Sequence, residues 1–283
     1  MSVYHQGQMS RVSAVTLVVS DINKSLNFYA GILKLMPKSI ANNEVDLSSD
    51  GITTLIKLIE VKGAKKPHHH LGLYHVALLL PSRKELGKTL AHLINEKYPL
   101  TGLSDHQVSE AIYLDDPDGN GIEIYADRPV VNGYDWHSYR SDQLTLPMDY
   151  RNVLLAGEGE PFTQLPTDTI IGHLHLHVDD LSKAKRFFTQ GLGFSVMFDW
   201  GDSASFLATG HYHHHIGINT WNGKTATINS EHEIGIRNYT ITLPDREKAV
   251  TIDRLSKLGY PIDSVNGIHT FDSNGTMVKL VFC

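Results

Sequence analysis

The sequence predicts an α+β protein made of four copies of one unit, in which a strand is followed by an amphipathic helix and several short strands. Two internal matches support this fold class. Residues 19–29 and 178–188 share the pattern Val-x-Asp-(Ile/Leu)-x-Lys-(Ser/Ala)-x-x-Phe-(Tyr/Phe). Residues 80–85 and 243–248, Leu-Pro-Ser-Arg-Lys-Glu and Leu-Pro-Asp-Arg-Glu-Lys, also resemble each other. Because the longer match exceeds what chance would give, we interpret the chain as a duplicated pair of units.

The repeated helices have a defined start and a defined buried face. Asp21 and Asp180 stand directly before the helices, where a carboxylate can accept hydrogen bonds from free backbone N–H groups. The aromatic pairs that end the motif are expected to pack against the sheet: Phe28 and Tyr29, and Phe187 and Phe188. The sequences of residues 116–119 and 272–275 are typical of type I turns, and each precedes the last strand of its unit.

The length of 283 residues corresponds to roughly two domains. We expect the first two units to occupy residues 9–128 and the second two units to occupy residues 169–283. Residues 129–168 contain Pro, Gly and Trp136 without clear periodicity, so we interpret them as a connector that packs over the surface.

Composition excludes several classes of partner. The formal net charge is −6 and no basic block occurs, which argues against a nucleic-acid-binding surface. The single cysteine, Cys283, excludes an internal disulfide and fits a reducing compartment. No apolar run approaches the roughly 18 residues of a membrane helix, and residues 1–6 contain no apolar signal core. We therefore expect a cytoplasmic protein without a nucleic-acid or membrane partner.

Two ionisable residues lie inside apolar runs of strand length. His75 lies in the run 71–81, and Glu123 lies in the run that closes the segment 113–128. Burying an imidazole and a carboxylate is costly unless each is paired, and a divalent metal would pair with both. His173 belongs to an alternating His-x-His-x-His stretch whose histidines all point to one face of a strand.

Four such units in 283 residues resemble the vicinal oxygen chelate superfamily. The pattern Tyr113-x9-Glu123 across an Asp-Pro-Asp-Gly turn, together with a His-His stretch, resembles the extradiol ring-cleaving dioxygenases of catechol 2,3-dioxygenase type. The resemblance implies that two units form one curved, cup-shaped mixed sheet and that the first and last strands of each unit supply the metal ligands.

The repeat indicates which units retain ligands. The equivalent first-strand positions are Ala14, His75, His173 and Asn238, and the last strands of the even units place Glu123 and Lys279 at equivalent positions. Units one and four therefore lack metal-binding residues. If unit two pairs with unit three, and unit one with unit four, a single cup receives the whole ligand set. We favour this pairing; the cup could form within one chain or by exchange between the chains of a dimer.

Two histidines and one carboxylate on one face of a metal form the facial triad of non-haem Fe(II) oxygenases. The resemblance implies that His75, His173 and Glu123 are the ligands and that the metal is Fe(II). Zinc could occupy the same ligands, and manganese or nickel is a further alternative, so the ligand types alone leave the identity of the metal open.

Five further residues receive candidate roles, the first three through the resemblance and the last two from their positions in the strands. The segment 213–217 matches His-His-x-(Ile/Val)-(Ala/Gly), which places His214 as the acid–base histidine. The alternative is that His214 binds the metal, as in a glyoxalase-like site. Tyr113 would hydrogen-bond near the substrate, and His106 would support it, although its spacing to Tyr113 departs from the family. His175 could contact substrate. Arg128 could steady an anionic substrate, with a surface ion pair as an equal alternative.

The function expected from the resemblance is an extradiol dioxygenase that inserts O2 into a small catechol-like aromatic diol, in a homo-oligomer (dimer or tetramer). A glyoxalase-type isomerase or lyase is the first alternative, and it would act without O2. The absence of an acidic residue at the position of His214 in unit three argues against it. A non-enzymatic small-molecule-binding protein is the second alternative, against which the complete ligand set argues.

Overall fold

Strands and short helices alternate along the chain in the computed structural model, which describes residues 3–129, 144–223, 225–228, 230–265 and 267–283. Unit one contains β1 (Arg11–Val19), α1 (Ile22–Leu26), β2 (Met36–Ala41), β3 (Glu44–Ser48) and β4 (Ile56–Glu60). Unit two contains β5 (Gly72–Leu80), α2 (Arg83–Asn95), β6 (Gly102–Asp105), β7 (Ser109–Asp115) and β8 (Gly121–Asp127).

The second half repeats this order. After β9 (Leu146–Pro147) and α3 (Tyr150–Ala156), unit three contains β10 (Ile170–His177), α4 (Leu181–Arg186), β11 (Ser195–Trp200), β12 (Ala204–Ala208) and β13 (Ile216–Asn219). Unit four contains β14 (Gly235–Leu243), α5 (Lys248–Lys257), β15 (His269–Phe271) and β16 (Met277–Phe282). The helices α1 and α4 continue as π-helical turns, Asn27–Ile32 and Phe187–Gly191. Short 3₁₀ turns occur at Val3–His5 and Asp245–Glu247.

The units pair across the two halves of the chain. One sheet has seven strands in the order β15-β16-β14-β1-β4-β3-β2, which joins units one and four. The other has nine strands in the order β11-β12-β13-β10-β5-β8-β7-β6-β9, which joins units two and three. The α+β fold of curved mixed sheets is confirmed, and so is the favoured pairing, which forms within one chain. The boundaries proposed for the two halves remain a prediction.

The expected helix caps are present. The Asp21 carboxylate accepts hydrogen bonds from the backbone N–H groups of residues 23 and 24, and Asp180 caps α4 in the same way. The aromatic pairs that end the two motifs are buried, as expected: Phe28, Tyr29, Phe187 and Phe188. These side chains belong to one continuous apolar core that also contains residues from both sheets. Local sequence thus fixes both where the helices start and which face they bury.

The connector is more regular than its sequence suggested. Trp136 and the rest of residues 130–143 lie outside the described residues, whereas residues 144–168 include strand β9 and helix α3. Strand β9 pairs with β6 at the edge of the nine-stranded sheet. Helix α3 packs closely on α2, with the side chain of Val153 fully buried. A helix of only seven residues is too short to show clear periodicity in sequence. In the described residues, no helix has the length and apolar character needed to cross a bilayer.

The contact between α2 and α3 depends on a glycine pair and gives a first prediction. A Cβ atom on Gly87 would lie 2.2 Å from the carbonyl oxygen of Val153 and 2.8 Å from the backbone nitrogen of Gly157. Because backbone atoms cannot move away cheaply, Gly87→Ala should lower the free energy of unfolding by about 1–3 kcal/mol, measured by urea denaturation.

Gly31→Ala is the control for this substitution. The nearest atom to its added Cβ would be a backbone oxygen 3.9 Å away, so stability should be nearly unchanged. Equal effects of the two substitutions would contradict the close approach of the helices.

Candidate metal centre

Three side-chain atoms converge on the concave face of the nine-stranded sheet. The Nε2 atoms of His75 and His173 lie 3.0 and 3.1 Å from the same oxygen, Oε2 of Glu123. The two Nε2 atoms are 3.3 Å apart. All three residues are buried, and they form a group that could hold a metal ion within the part of the chain that the structure describes.

Strand register explains the convergence. Ala77 in β5 lies opposite His173 of β10 on one side and beside Glu123 of β8 on the other. His75 lies two residues earlier in β5, on the same face of the sheet. Because the side chain of Ala77 is a single methyl group, the imidazole of His173 and the carboxylate of Glu123 can meet over it.

The donor set fits one divalent cation. Ligands on one face of an octahedral ion with bonds of about 2.1 Å lie about 3.0 Å apart, close to the separations between these three atoms. Among the described residues, Nδ1 of His173 is buried without a hydrogen-bond partner, so the ring makes its polar contacts through Nε2. A cation at Nε2 would compensate for the burial of both imidazoles and the carboxylate.

The electrostatics favour the protonation states that bind metals. Burial alone would raise the pKa of Glu123, but the neighbouring imidazoles of His173 and His75 outweigh burial and hold its pKa well below the usual range. Burial lowers the pKa of His173 to about 4, and the charge of Glu123 only partly offsets that effect. At neutral pH the site therefore presents a carboxylate and a neutral imidazole, the forms that coordinate metals.

Tyr113 and His106 form a hydrogen-bonded pair beside this centre. Tyr113 lies directly opposite Glu123 in the β7–β8 ladder, and its hydroxyl is 2.7 Å from Nε2 of His106. Nδ1 of His106 is 2.6 Å from the carbonyl oxygen of Leu144, which can only accept, so Nδ1 carries the proton. The Tyr113 hydroxyl therefore donates to Nε2. Burial, with the negative charge of Glu123, raises the pKa of Tyr113 well above its usual value. The structure brings His106 to Tyr113 despite the unusual spacing.

His175 and His177 are linked through one amide. The backbone N–H of Trp221 and Nδ1 of His177 both donate to Oδ1 of Asn219, at 3.1 and 2.7 Å. The amide Nδ2 therefore faces Nε2 of His175, at 3.0 Å, and donates to it. A Cβ on Gly217 would lie 2.8 Å from the His175 ring, so the small last residue of the motif makes room for this imidazole.

The structure corrects the position of the three consecutive histidines. Residues 213–215 were expected in a strand, but they lie in a bend before β13, which begins at Ile216. The expected orientation of His214 nevertheless holds: its ring centroid is 4.1 Å from that of His173, and it lines the cavity described below. His213 and His215 are fully buried. The two histidines have separate partners: His213 contacts Asp127, and His215 contacts the carbonyl oxygen of Tyr4.

Among the described residues that line the cavity, Arg128 is absent, and its proposed contact with substrate stays a prediction. Its guanidinium nitrogen Nη2 lies 2.6 Å from Oδ2 of Asp105 and 3.3 Å from Oε1 of Glu110. The alternative of an ion pair is therefore the one that the structure supports.

A cavity of about 600 Å³ opens beside the three ligand atoms. Apart from the histidines, its lining is largely aromatic on the side of unit three and small or polar on the side of unit two. The aromatic part consists of Phe198, Trp200, Phe206 and Trp221, and Tyr74 of unit two lies 5.3 Å from Trp221 between ring centroids. The other part includes Thr101, Gly102, Ser104 and Thr145. The volume falls in the usual range for small-molecule sites and accommodates an aromatic ring together with a substituent.

Sequence reasoning missed two polar residues that hold this site, Asp127 and Asn219. Asp127 lies four residues after Glu123 in the same strand, so alternation alone places both side chains on one face. Asn219 follows Gly217 at the end of β13, on the face of His175. The pattern could have placed both residues on the concave face, but it carried no information about their partners.

Glu123→Gln tests the metal centre. Replacing the carboxylate with an amide removes the one anionic ligand, so affinity for a divalent metal should fall by more than about 100-fold, since even supporting residues typically contribute 10- to 100-fold. Metal content after equilibrium dialysis is the measurement.

Glu110→Gln is the matched control. Glu110 is equally buried in the same unit but pairs with Arg83, 3.0 Å away, so this variant should lose stability and keep its metal affinity. Unchanged metal binding in Glu123→Gln would contradict the assignment.

The buried histidines predict how stability depends on pH. Burial lowers the pKa of His5, His173 and His177 to about 4 from the ordinary 6.5. The unfolded chain takes up these protons between pH 6.5 and 4 and the folded chain does not. The free energy of unfolding of the metal-free protein should therefore fall as the pH falls through this range, by at most about 1.4 kcal/mol per pH unit for each histidine.

Urea denaturation across this range is the measurement. His5→Gln should make the slope shallower, because one such group is removed at a residue that is not a candidate metal ligand. The same slope in this variant and the wild type would contradict the prediction.

The sequence and the fold both resemble those of known proteins. The sequence model described as Glyoxalase/Bleomycin resistance protein/Dioxygenase superfamily matches residues 11–124 and 170–281. A catechol-2,3-dioxygenase from Bacillus subtilis (strain 168) is 40% identical over 261 residues, covering 90% of each chain. Two solved structures share the fold. The cppA protein from Streptococcus pneumoniae TIGR4 matches with a TM-score of 0.61 and 12% identity, over 97% of this chain and 100% of that one. Glyoxalase I from Zea mays matches with a TM-score of 0.58 and 14% identity, over 96% of this chain and 92% of that one. On the strength of the family match and the 40% identical relative, this chain belongs to the glyoxalase/bleomycin resistance protein/dioxygenase superfamily.

Proposed function

We propose that this protein is an extradiol dioxygenase that inserts O2 into a catechol-like aromatic diol. The observation that carries the proposal is the facial group of two imidazole nitrogens and one carboxylate oxygen beside a cavity that His214 and Tyr113 also line. The identity of 40% to a catechol-2,3-dioxygenase over 90% of both chains supports the same chemistry.

His75, His173 and Glu123 would hold the metal, and we propose Fe(II), with manganese, zinc or nickel as alternatives. When bound, an iron ion with open positions on one face would bring the diol and O2 together and pass electrons between them. The protein supplies the remaining functions, which are binding, orientation and proton transfer.

His214 is the proposed acid–base residue. It lies against His173 at the wall of the cavity, where it can reach a hydroxyl of a diol bound at the metal face. Burial, reinforced by the neighbouring imidazoles, lowers the pKa of His214 well below its usual value, so the residue is neutral and able to accept a proton. The same nitrogen would return that proton to a product oxygen later in the reaction.

Tyr113 and His175 are proposed to orient the diol. The Tyr113 proton is directed to His106, so the hydroxyl oxygen can accept a hydrogen bond from the substrate. The His175 ring lies between the ring of His75 and the aromatic wall of the cavity, with centroid distances of 5.0 Å to His75 and 5.5 Å to Trp221. The substrate ring would pack on this wall, which also helps to exclude water.

The family also contains glyoxalases, and they differ from this proposal in a measurable way. An isomerase or lyase would turn over without O2, whereas a dioxygenase consumes one O2 for each diol. A binding protein without catalytic function would take up ligand and leave it unchanged. The complete metal-binding group favours a catalytic protein over the last of these.

Two wider expectations remain proposals. We propose a cytoplasmic location, supported by an exposed free thiol at Cys283, which persists in reducing compartments. We also propose that the protein acts as a homo-oligomer, a dimer or tetramer, in which each cup is complete within one chain.

The activity test uses protein loaded anaerobically with Fe(II). Adding a catechol and then air should give stoichiometric O2 uptake and a yellow ring-opened product that absorbs in the near-visible region. In His214→Gln, kcat should fall by roughly 10²- to 10⁴-fold with iron content unchanged, the usual contribution of a positioned acid–base group.

His232→Gln is the control, because the side chain of His232 is 76% exposed and does not line the cavity. It should behave as the wild type. Failure to consume O2 with any of several substituted catechols, or turnover of substrate without O2, would refute the proposed function.

A further inference from the structure

A chain of hydrogen bonds runs from β8 to His214 behind the wall of the cavity. Nε2 of His213 lies 2.9 Å from Oδ1 of Asp127, and Nδ1 of His213 lies 2.8 Å from Nδ1 of His214. The Tyr212 hydroxyl lies 3.1 Å from both carboxylate oxygens of Asp127. His213 is fully buried, and neither it nor Asp127 lines the cavity.

Counting donors and acceptors gives the positions of the protons along this chain for neutral imidazoles. The Asp127 carboxylate can only accept, so Nε2 of His213 must carry a proton. The other nitrogen of a neutral His213 is then an acceptor, and the proton between the two rings belongs to Nδ1 of His214. This leaves Nε2 of His214 without a proton. Because the Nδ1 edge of His214 faces the buried His213, the Nε2 edge remains for the cavity.

We infer that Asp127 and His213 are positioning residues that hold His214 in the tautomer able to accept a proton from the substrate. The inference rests on the proposed function of His214. It assigns no contact with substrate to Asp127 or His213; they act through the orientation of the His214 ring and the placement of its proton. Without them the His214 ring could turn, or carry its proton on Nε2, and would then be a donor where an acceptor is needed.

Tyr212 supports the same arrangement. Its single hydroxyl proton goes to Asp127, so it accepts from the Tyr125 hydroxyl, 2.8 Å away. The ring of Tyr125 lies 4.9 Å from that of His173, beside the metal centre. The carboxylate of Asp127 is thereby anchored by hydrogen bonds from two directions. A carboxylate fixed in this way can set the orientation of the imidazole that donates to it.

Asp127→Asn is the primary test, because it keeps the shape of the side chain and replaces one acceptor atom with a donor. An amide Nδ2 facing His213 would donate to its Nε2 and reverse the direction of both hydrogen bonds. His214 would then carry its proton on Nε2. In the Fe(II)-loaded enzyme, kcat should fall by about 10²-fold while KM for catechol and iron content stay unchanged.

A spectroscopic measurement tests the tautomer without relying on activity. The zinc-loaded protein is diamagnetic, so ring-nitrogen NMR on 15N-histidine-labelled samples can report which nitrogen of His214 is protonated, with assignment from the His214→Gln spectrum. We expect the proton on Nδ1 in the wild type and a shift toward Nε2 in Asp127→Asn.

His215→Gln is the matched control. His215 is as fully buried as His213 and adjoins the same bend, but it bonds to the carbonyl oxygen of Tyr4. This variant should lose stability while kcat per bound iron and the His214 tautomer stay as in the wild type. An effect of equal size on kcat in His215→Gln would show that burial alone matters and would overturn the inference.

The inference and the proposed function fail in different ways. If the wild type cleaves no diol, the proposed function is refuted, and the NMR measurement still decides the tautomer. If the wild type is active but the His214 proton lies on Nε2, or Asp127→Asn keeps full kcat, the positioning role is refuted alone.

Discussion

Two imidazole rings that share one carboxylate oxygen in the interior of a sheet are the constraint on which the rest of the site depends. Each of these groups loses hydration when it is buried, and the loss must be compensated by hydrogen bonds or by a cation. Glu123 lies within 3.0–3.1 Å of both rings and so links two strands from different halves of the chain. Other residues of the nine-stranded sheet leave the space, or supply the hydrogen bonds, that the contact between Glu123 and the two rings requires.

Small residues at defined positions make room for the imidazoles. Ala77 separates His173 from Glu123 across the central strand, and its methyl group leaves the space over the sheet in which they meet. Gly217 gives the corresponding space to the His175 ring, which a Cβ would approach to 2.8 Å. Alternation within each strand supplies the other requirement, since apolar side chains on the opposite face pack into the continuous core. The polar side chains of the site therefore lie on one face of the sheet, and the closely packed apolar side chains on the other face hold the strands in place.

The candidate metal ligands all lie in one sheet, and the other sheet contributes to the core. Units one and four place Ala14, Asn238 and Lys279 at positions where units two and three place the candidate metal ligands. Behind the cavity, histidines and tyrosines satisfy one another in chains such as Asp127–His213–His214 and His177–Asn219–His175. Such chains fix ring orientation more firmly than a solvated histidine could, because each donor has one available acceptor.

The sequence by itself determined the repeat, the helix caps, the aromatic pairs and the residues with ligand chemistry, because each depends on local pattern or on period-two alternation. His75 and Glu123 could be singled out because each is an ionisable residue inside an apolar run, and the repeat together with the family resemblance added His173. The sequence also favoured the pairing of the units, which the sheet order confirms. Only the tertiary structure decided that this pairing forms within one chain, that the histidines at 213–215 lie in a bend, and that Arg128 pairs with Asp105 and Glu110. It also supplied the partners of Asp127 and Asn219. These outcomes depend on contacts between residues far apart in the chain, whose free energies no local pattern records.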